Sequence, residues 1–154
     1  MIIRALSGES LPVYGDGQNV RDWLYVEDHA TALTTALEHG RIGETYNIGA
    51  NHERTNIDVV QKICQLLNRL APSSAGSYER LITLAPDRPG HDRRYAIDAT
   101  KIKRELGWMP RVSFESGLEL TVRWYLENPN WWQSILRQGY GPARIGTNAR
   151  TRAS

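Results

Sequence analysis

The sequence predicts an α/β protein in which short strands alternate with helices, and three observations predict it. Apolar residues recur at helical spacing along residues 57–70 and 114–126. Short apolar or alternating runs of strand length lie between such stretches, among them Leu11-Pro12-Val13-Tyr14 and Leu81-Ile82-Thr83-Leu84-Ala85. Gly and Pro punctuate the boundaries, as at Gly15-Asp16-Gly17, Gly40, Pro89-Gly90 and Gly107.

Residues 1–6 have the pattern of the last turns of a helix, ended by Ser7-Gly8. Ile2, Ile3 and Leu6 have no upstream partner to pack with, which points to Met1 as an internal methionine and to the chain as a fragment. Leu11-Pro12-Val13-Tyr14 is an extended run, and Pro12, which lacks an amide donor, belongs at an edge or a strand start. Residues 21–26 predict a second strand with Arg21 and Asp22 at its beginning. Asp28 is placed to cap the next helix, on which Ala30, Leu33, Ala36 and Leu37 share helical spacing and which Gly40 ends. His29 and His39 have no companions at metal-ligand spacing and read as surface histidines. Thr45-Tyr46-Asn47-Ile48 alternates like a strand.

Thr55 and Asn56 offer an N-cap to a helix over 57–70, whose apolar stripe is Ile57, Val60, Ile63, Cys64 and Leu67. Residues 71–77 have the composition of a flexible surface loop, and 81–85 make a short apolar strand. Tyr95-Ala96-Ile97 reads as extended, Asp98 as the N-cap of a helix over 99–106, and Gly107 as its stop. Ser113 caps the next helix, with Glu115 in its first turn and Phe114, Leu118, Val122, Tyr125 and Leu126 on one face, until Pro129 stops it. Trp131 and Trp132 have two readings, a stacking platform for a base or anchors of the last helix on the core. Residues 137–154, with several glycines and no apolar period, are expected to be a disordered tail.

Composition excludes several classes. Hydrophobic residues make up 40% and charged residues 23%, a globular balance. No apolar run approaches the roughly 20 residues that span a bilayer, so no membrane association is expected. The opening residues are too short and carry Arg4, unlike a signal peptide. The single cysteine, Cys64, excludes an internal disulfide and suits a reducing cytoplasm. The net charge of +2 comes from the tail, where Arg137, Arg144, Arg150 and Arg152 stand without an acid. Without those four the remaining 15 bases face 17 acids, which does not fit a nucleic-acid binder.

The stretch richest in chemistry is Asp87-Arg88-Pro89-Gly90-His91-Asp92-Arg93-Arg94-Tyr95-Ala96-Ile97-Asp98. Its arginines present planar forks of donors that match phosphate oxygens in pairs, and Asp87 and Asp92 can orient those forks or accept from sugar hydroxyls. The alternative is a solvated loop whose charges pair with each other. Asn56, at a helix start among unpaired backbone donors, has a natural place for an anion or a carbonyl. Arg21 either pairs with an acid such as Asp22 or reaches a ligand.

The run from Asp87 to Asp98, followed by Glu105-Leu106-Gly107-Trp108, resembles the C-terminal signature of dTDP-glucose 4,6-dehydratases, enzymes of the extended short-chain dehydrogenase/reductase class. Arg21-Asp22-Trp23-Leu24-Tyr25-Val26-Glu27-Asp28-His29 and Gly43-Glu44-Thr45-Tyr46-Asn47-Ile48-Gly49 agree with it in the same order. The resemblance covers the chain from Met1 to about Gln133. It implies the C-terminal, substrate-binding portion of an extended Rossmann-type sugar-nucleotide dehydratase, without the N-terminal dinucleotide-binding half. Residues 1–136 would bind the sugar nucleotide. The implied substrate contacts are Arg21, Arg88 and His91 near the diphosphate, and Asn56 and Asp87 as polar orienters. Pro89 and Gly90 would shape the loop, and Pro12, Val13 and Tyr14 would wall the nucleoside. The family also places a tyrosine near the chain end against the ligand; around Tyr140 the sequence does not match that pattern.

The implied reaction uses bound NAD to oxidise C4 of dTDP-glucose, which acidifies the C5 proton. Water leaves across C5 and C6 and the hydride returns to C6, giving dTDP-4-keto-6-deoxyglucose. That chemistry needs a glycine-rich turn, a Tyr-x-x-x-Lys pair and an Asp-Glu pair. None of the tyrosines has lysine four positions on, and no glycine set fits the dinucleotide pattern. The chain alone is therefore expected to be inactive, with the dTDP-sugar and the missing N-terminal half as partners and a homodimer as the state of the complete enzyme. The alternatives are a fragment of another sugar-nucleotide epimerase or decarboxylase of the superfamily, or a non-catalytic nucleotide-binding remnant.

Overall fold

Helix α3, Asn56–Leu70, is the element on which the others lie. Its Thr55 cap accepts a hydrogen bond from the Asp58 N–H, which satisfies one of the orphan donors of the first turn. The cap is Thr55 alone; Asn56 is already the first helical residue. The expected stripe is buried at Val60, Ile63, Cys64 and Leu67, and Val59 and Leu66 widen it. The computed structural model describes residues 1–137, so the expected tail, apart from Arg137, and Tyr140 lie outside the described residues.

The order before α3 is α1 (Ile2–Leu6), β1 (Leu11–Tyr14), β2 (Val20–Asp22), α2 (Val26–His39) and β3 (Glu53–Thr55). After it come a 3-10 turn (Tyr78–Leu81), β4 (Ile82–Ala85), α4 (Thr100–Leu106), α5 (Phe114–Glu127) and α6 (Pro129–Arg137). Among the described residues the strands form two two-stranded sheets. β1 runs parallel to β4 with Leu11 opposite Ile82 and Tyr14 opposite Ala85. β2 runs antiparallel to β3 with Val20 opposite Thr55 and Asp22 opposite Glu53.

The main core gathers Leu11 and Val13 of β1, the inward face of α3, Tyr78, Leu81, and Phe114 and Val122 of α5. Ile2 and Ala5 of α1 are buried in it and Leu6 packs against it, so these three residues of the opening helix find their partners downstream. A second cluster of Ala32, Ile102 and Trp108 holds α2 to α4. No helix among the described residues is long and apolar enough to cross a membrane.

Five expectations require correction. The second strand ends at Asp22, not at Val26, which opens α2. Its partner chain turns away at His52, the last residue to meet it, so residues 24–26 have no ladder to join. Thr45–Ile48 forms no strand, because among the described residues no segment pairs with it; the alternation survives as Tyr46 and Ile48 packing on the second core cluster. Asp28 does not cap α2. It lies in the first turn, only 5% exposed, and its Oδ2 accepts the N–H groups of Arg111 and Val112 at 3.0 and 2.9 Å. The 95–97 run makes no ladder of its own beyond the bridge of Arg94 to Val20. Asp98 acts one position before the cap, accepting from the Thr100 N–H, and Ala99 is the cap residue.

Other expectations hold. Gly107 closes α4 in the left-handed conformation at φ 67°. Ser113 caps α5 by accepting from the Ser116 N–H. Pro129 ends α5 and opens α6, where its missing N–H costs nothing. Trp132 donates from Nε1 to the Tyr125 carbonyl, tying α6 to α5, and Trp131 packs edge-on to Trp124.

Candidate functional site

β1 and β4 point the same way, so their carboxyl ends deliver two loops to one place, the usual position for ligand-binding loops in parallel sheets. Gly15 follows β1 and donates its N–H to Ala85 at the end of β4. A Cβ at Gly15 would lie 2.9 Å from Asp87 Oδ2, so the first loop clears the ground on which Asp87 stands. Asp87 Oδ1 accepts from its neighbour's backbone, Arg88 N–H at 2.8 Å, and lies 2.7 Å from His91 Nδ1. These contacts, the His91 bond foremost, hold the Asp87 carboxyl below the usual aspartate range. The His91 side chain is 9% exposed and Asp87 fixes its ring.

The three loop arginines divide. Arg93 gives both its hydrogen bonds to the Asp16 carboxylate, at 2.9 and 3.1 Å. Arg94 forks onto Glu53. Both therefore pair with acids, though these belong to other segments and not to the loop itself. Arg88 does not: among the described residues no hydrogen bond or ion pair holds its exposed guanidinium, whose charge acts on Asp87 and Tyr95. Pro89 and Gly90 make the turn between Arg88 and His91, Gly90 at φ 67°. Among the described residues Asp92 orients no arginine with its carboxylate, which instead accepts from the Tyr95 hydroxyl and raises the Tyr95 pKa.

Arg21 lies where β2 meets this loop. Among the described residues it pairs with no acid, Asp22 included. It donates from Nη1 to the Val20 carbonyl at 2.6 Å and from Nη2 to the Asp92 carbonyl at 3.0 Å, and its guanidinium stacks over the Tyr95 ring at 4.6 Å. The Asp92 carbonyl also receives Asn19 Nδ2 at 3.2 Å. Asn19 is 3% exposed and its Oδ1 has no hydrogen-bond partner among the described residues. Pro12, Val13, Tyr14 and Asn56 lie together on the wall of a cleft of about 530 Å³, between the opening residues with α1, β1, the start of α3 and α5. Asn56 is tied to the β2 side through its N–H to the Asn19 carbonyl at 2.9 Å.

The expected residues thus form two neighbouring groups. Pro12, Val13, Tyr14 and Asn56 share the cleft, while Asp87, Arg88, Pro89, Gly90 and His91 share the loop, and β2 with Arg21 joins them. Sequence reasoning missed Asn19, Tyr95 and Glu53 as parts of the arrangement. Nothing in their spacing marks them: Asn19 and Glu53 act on partners distant in the chain, and Tyr95, though it bonds Asp92 nearby, joins the site by carrying the distant Arg21 on its ring. Among the described residues no cluster of acids, histidines and cysteine could hold a metal ion.

The Gly15-Asp16-Gly17 turn leads from a strand into a strand, not into the helix whose N-terminus would face a pyrophosphate. Gly17 is there for packing: at φ 72°, a Cβ would fall 2.7 Å from Val13 Cγ1 and 2.8 Å from Ile57 Cβ.

Known proteins resemble this arrangement and this sequence. The profile of the GDP-mannose 4,6 dehydratase family matches residues 1–121. A dTDP-glucose 4,6-dehydratase of Neisseria meningitidis is 57% identical over 150 residues, covering 96% of this chain and 42% of that protein. The crystal structure of dTDP-glucose 4,6-dehydratase from Bacillus anthracis in complex with NAD superposes with a TM-score of 0.76 at 48% identity, covering 87% of this chain and 40% of that one. The dTDP-glucose 4,6-dehydratase DesIV from Streptomyces venezuelae, with NAD and TYD bound, gives 0.77 at 42% identity, with 87% and 39% covered. The chain thus spans about two fifths of the length of the relatives it matches.

Proposed function

The chain belongs to the GDP-mannose 4,6 dehydratase family, and on that premise we propose that it is the nucleotide- and diphosphate-contacting portion of a dTDP-glucose 4,6-dehydratase. The observation that carries the proposal is the division of the loop arginines. Arg93 and Arg94 are neutralised by acids, while among the described residues Arg88 has no side-chain partner beside an oriented His91. A diphosphate would supply the missing anion, with bidentate acceptance from Arg88 and a donor from His91. The wall of Pro12, Val13 and Tyr14, with Asn56, would take the nucleoside in the adjoining cleft.

In this reading residues 1–136 are the substrate portion and 137–154 a tail. The complete enzyme would convert dTDP-glucose to dTDP-4-keto-6-deoxyglucose and water, in the cytoplasm and as a homodimer. NAD and the acid/base groups would come from the N-terminal portion, so this chain alone would be inactive. Its work would be positioning, which accounts for a large share of catalysis. Titrating the folded chain with thymidine diphosphate and with uridine diphosphate tests this reading. Saturable binding with preference for the thymidine form is expected. A cooperatively melting chain that binds neither would refute it, and preference for the uridine form would move it to a sugar-nucleotide epimerase.

A further inference from the structure

We propose that Asp22 is a positioning residue for this site, acting through Asn56. The proposal rests on the functional reading above and deepens it. Asp22 Oδ2 accepts the N–H groups of Ala50 and Asn51 at 2.9 and 3.3 Å, and Oδ1 accepts that of His52 at 2.8 Å. Successive backbone N–H groups curled around one anion make a compact receptor for it, and here the anion belongs to the protein. Asn51 adopts φ 56°, a left-handed conformation that Asn tolerates better than most residues. Gly49 lets the carboxylate in, since a Cβ there would stand 2.6 Å from Asp22 Oδ2.

The place of this turn in the chain makes it consequential. β3 begins at Glu53, directly after the gathered N–H groups, and Asn56 opens α3 directly after β3 ends at Thr55. A strand that short has few contacts of its own to set its register, and one residue of slip would carry Asn56 about 3.4 Å along the strand. That is more than a hydrogen bond tolerates. Asp22 therefore fixes how far along β2 the start of α3 is delivered. The residue before it, Arg21, holds the opposite flank through the Asp92 carbonyl. Consecutive side chains of one strand thus position the Asn56 arm and the arginine loop, each on its own edge of β2.

The test uses the full chain with Asp22→Asn, Asn56→Ala and the double variant, titrated with thymidine diphosphate. Each single change is expected to weaken binding about 5- to 10-fold, and the double variant no more than about 2-fold further, because the two act in series. Amide exchange supplies a readout without ligand: the Asn56 N–H should exchange at least about 10-fold faster in Asp22→Asn, while α5 is unchanged. If Asp22→Asn fails to fold, Gly49→Ala displaces the same carboxylate without removing its charge, and should show the same non-additivity with Asn56→Ala. Additive losses, unchanged affinity, or unchanged Asn56 exchange would overturn the inference alone. A folded wild type that binds no thymidine diphosphate would overturn the functional reading and this inference with it.

Discussion

Arg94 lays its guanidinium on the Glu53 carboxylate through two parallel hydrogen bonds, Nε to Oε2 at 2.6 Å and Nη2 to Oε1 at 2.7 Å. The pair joins the arginine loop to β3 across β2, where Val20 N–H donates to the Arg93 carbonyl and Tyr95 N–H to that of Val20. Arg94 holds the Glu53 carboxyl below the usual glutamate range. A carboxyl with a lowered folded-state pKa contributes stability above its unfolded-state value and loses it as pH falls through the folded-state value. Glu53→Gln should therefore melt below the wild type at neutral pH, and the two should converge in acid below the glutamate range. Melting curves across that interval check it, and a gap that persists in acid would contradict it.

The arginines should separate in ligand binding. Arg88→Ala is expected to weaken thymidine diphosphate binding about 10- to 100-fold, the scale of one charge-assisted interaction of about 1.5–3 kcal/mol. Arg93→Ala removes only an exposed pair with Asp16 and should change affinity less than about 3-fold. Calorimetric titration of both variants decides it, and equal losses would show that Arg88 is no different from its neighbour.

Sequence and structure agree where the signal is local and part company where it is not. The α3 and α5 stripes, the Ser113 and Thr55 caps and the Gly107 stop are readable because each acts within a turn or two of chain. On α2 the apolar spacing of Ala30, Leu33, Ala36 and Leu37 is real, yet Leu33 is 55% and Leu37 86% exposed, while Asp28 and Ala32 are buried. Periodicity shows that a face exists and not which element covers it. The same limit applies to the site. The Asp87–His91 loop stands out by composition, but the commitment of Arg94 to Glu53 and of Arg21 to a carbonyl depends on partners 41 and 71 residues away.

Asp28 shows what such a distant partner is worth. Its buried carboxylate is the acceptor for two backbone N–H groups in the segment that leads to the Ser113 cap. Asp28→Ala would leave both donors without a partner, at about 1–3 kcal/mol each. The variant should lose about 2–5 kcal/mol in denaturant unfolding. A loss under about 1 kcal/mol would mean that water reaches Arg111 and Val112 and takes over the bonds.

Cys64 offers a probe of the core that encloses it. The thiol is fully buried on the inward face of α3, and burial pushes its pKa up to about 11. Reaction with a thiol reagent needs both the thiolate and access. Near pH 8 the native chain should therefore react far more slowly than the denatured chain, at a rate set by opening of the core. Leu67→Ala, which removes a fully buried neighbour in the same cluster, should cost about 2–5 kcal/mol and speed the reaction by the matching factor, at least about 30-fold. Labelling rates against denaturant stability for the two chains would test the link. If the reaction is as fast in the native wild type as in the denatured chain, Cys64 is not enclosed between α3 and its core partners.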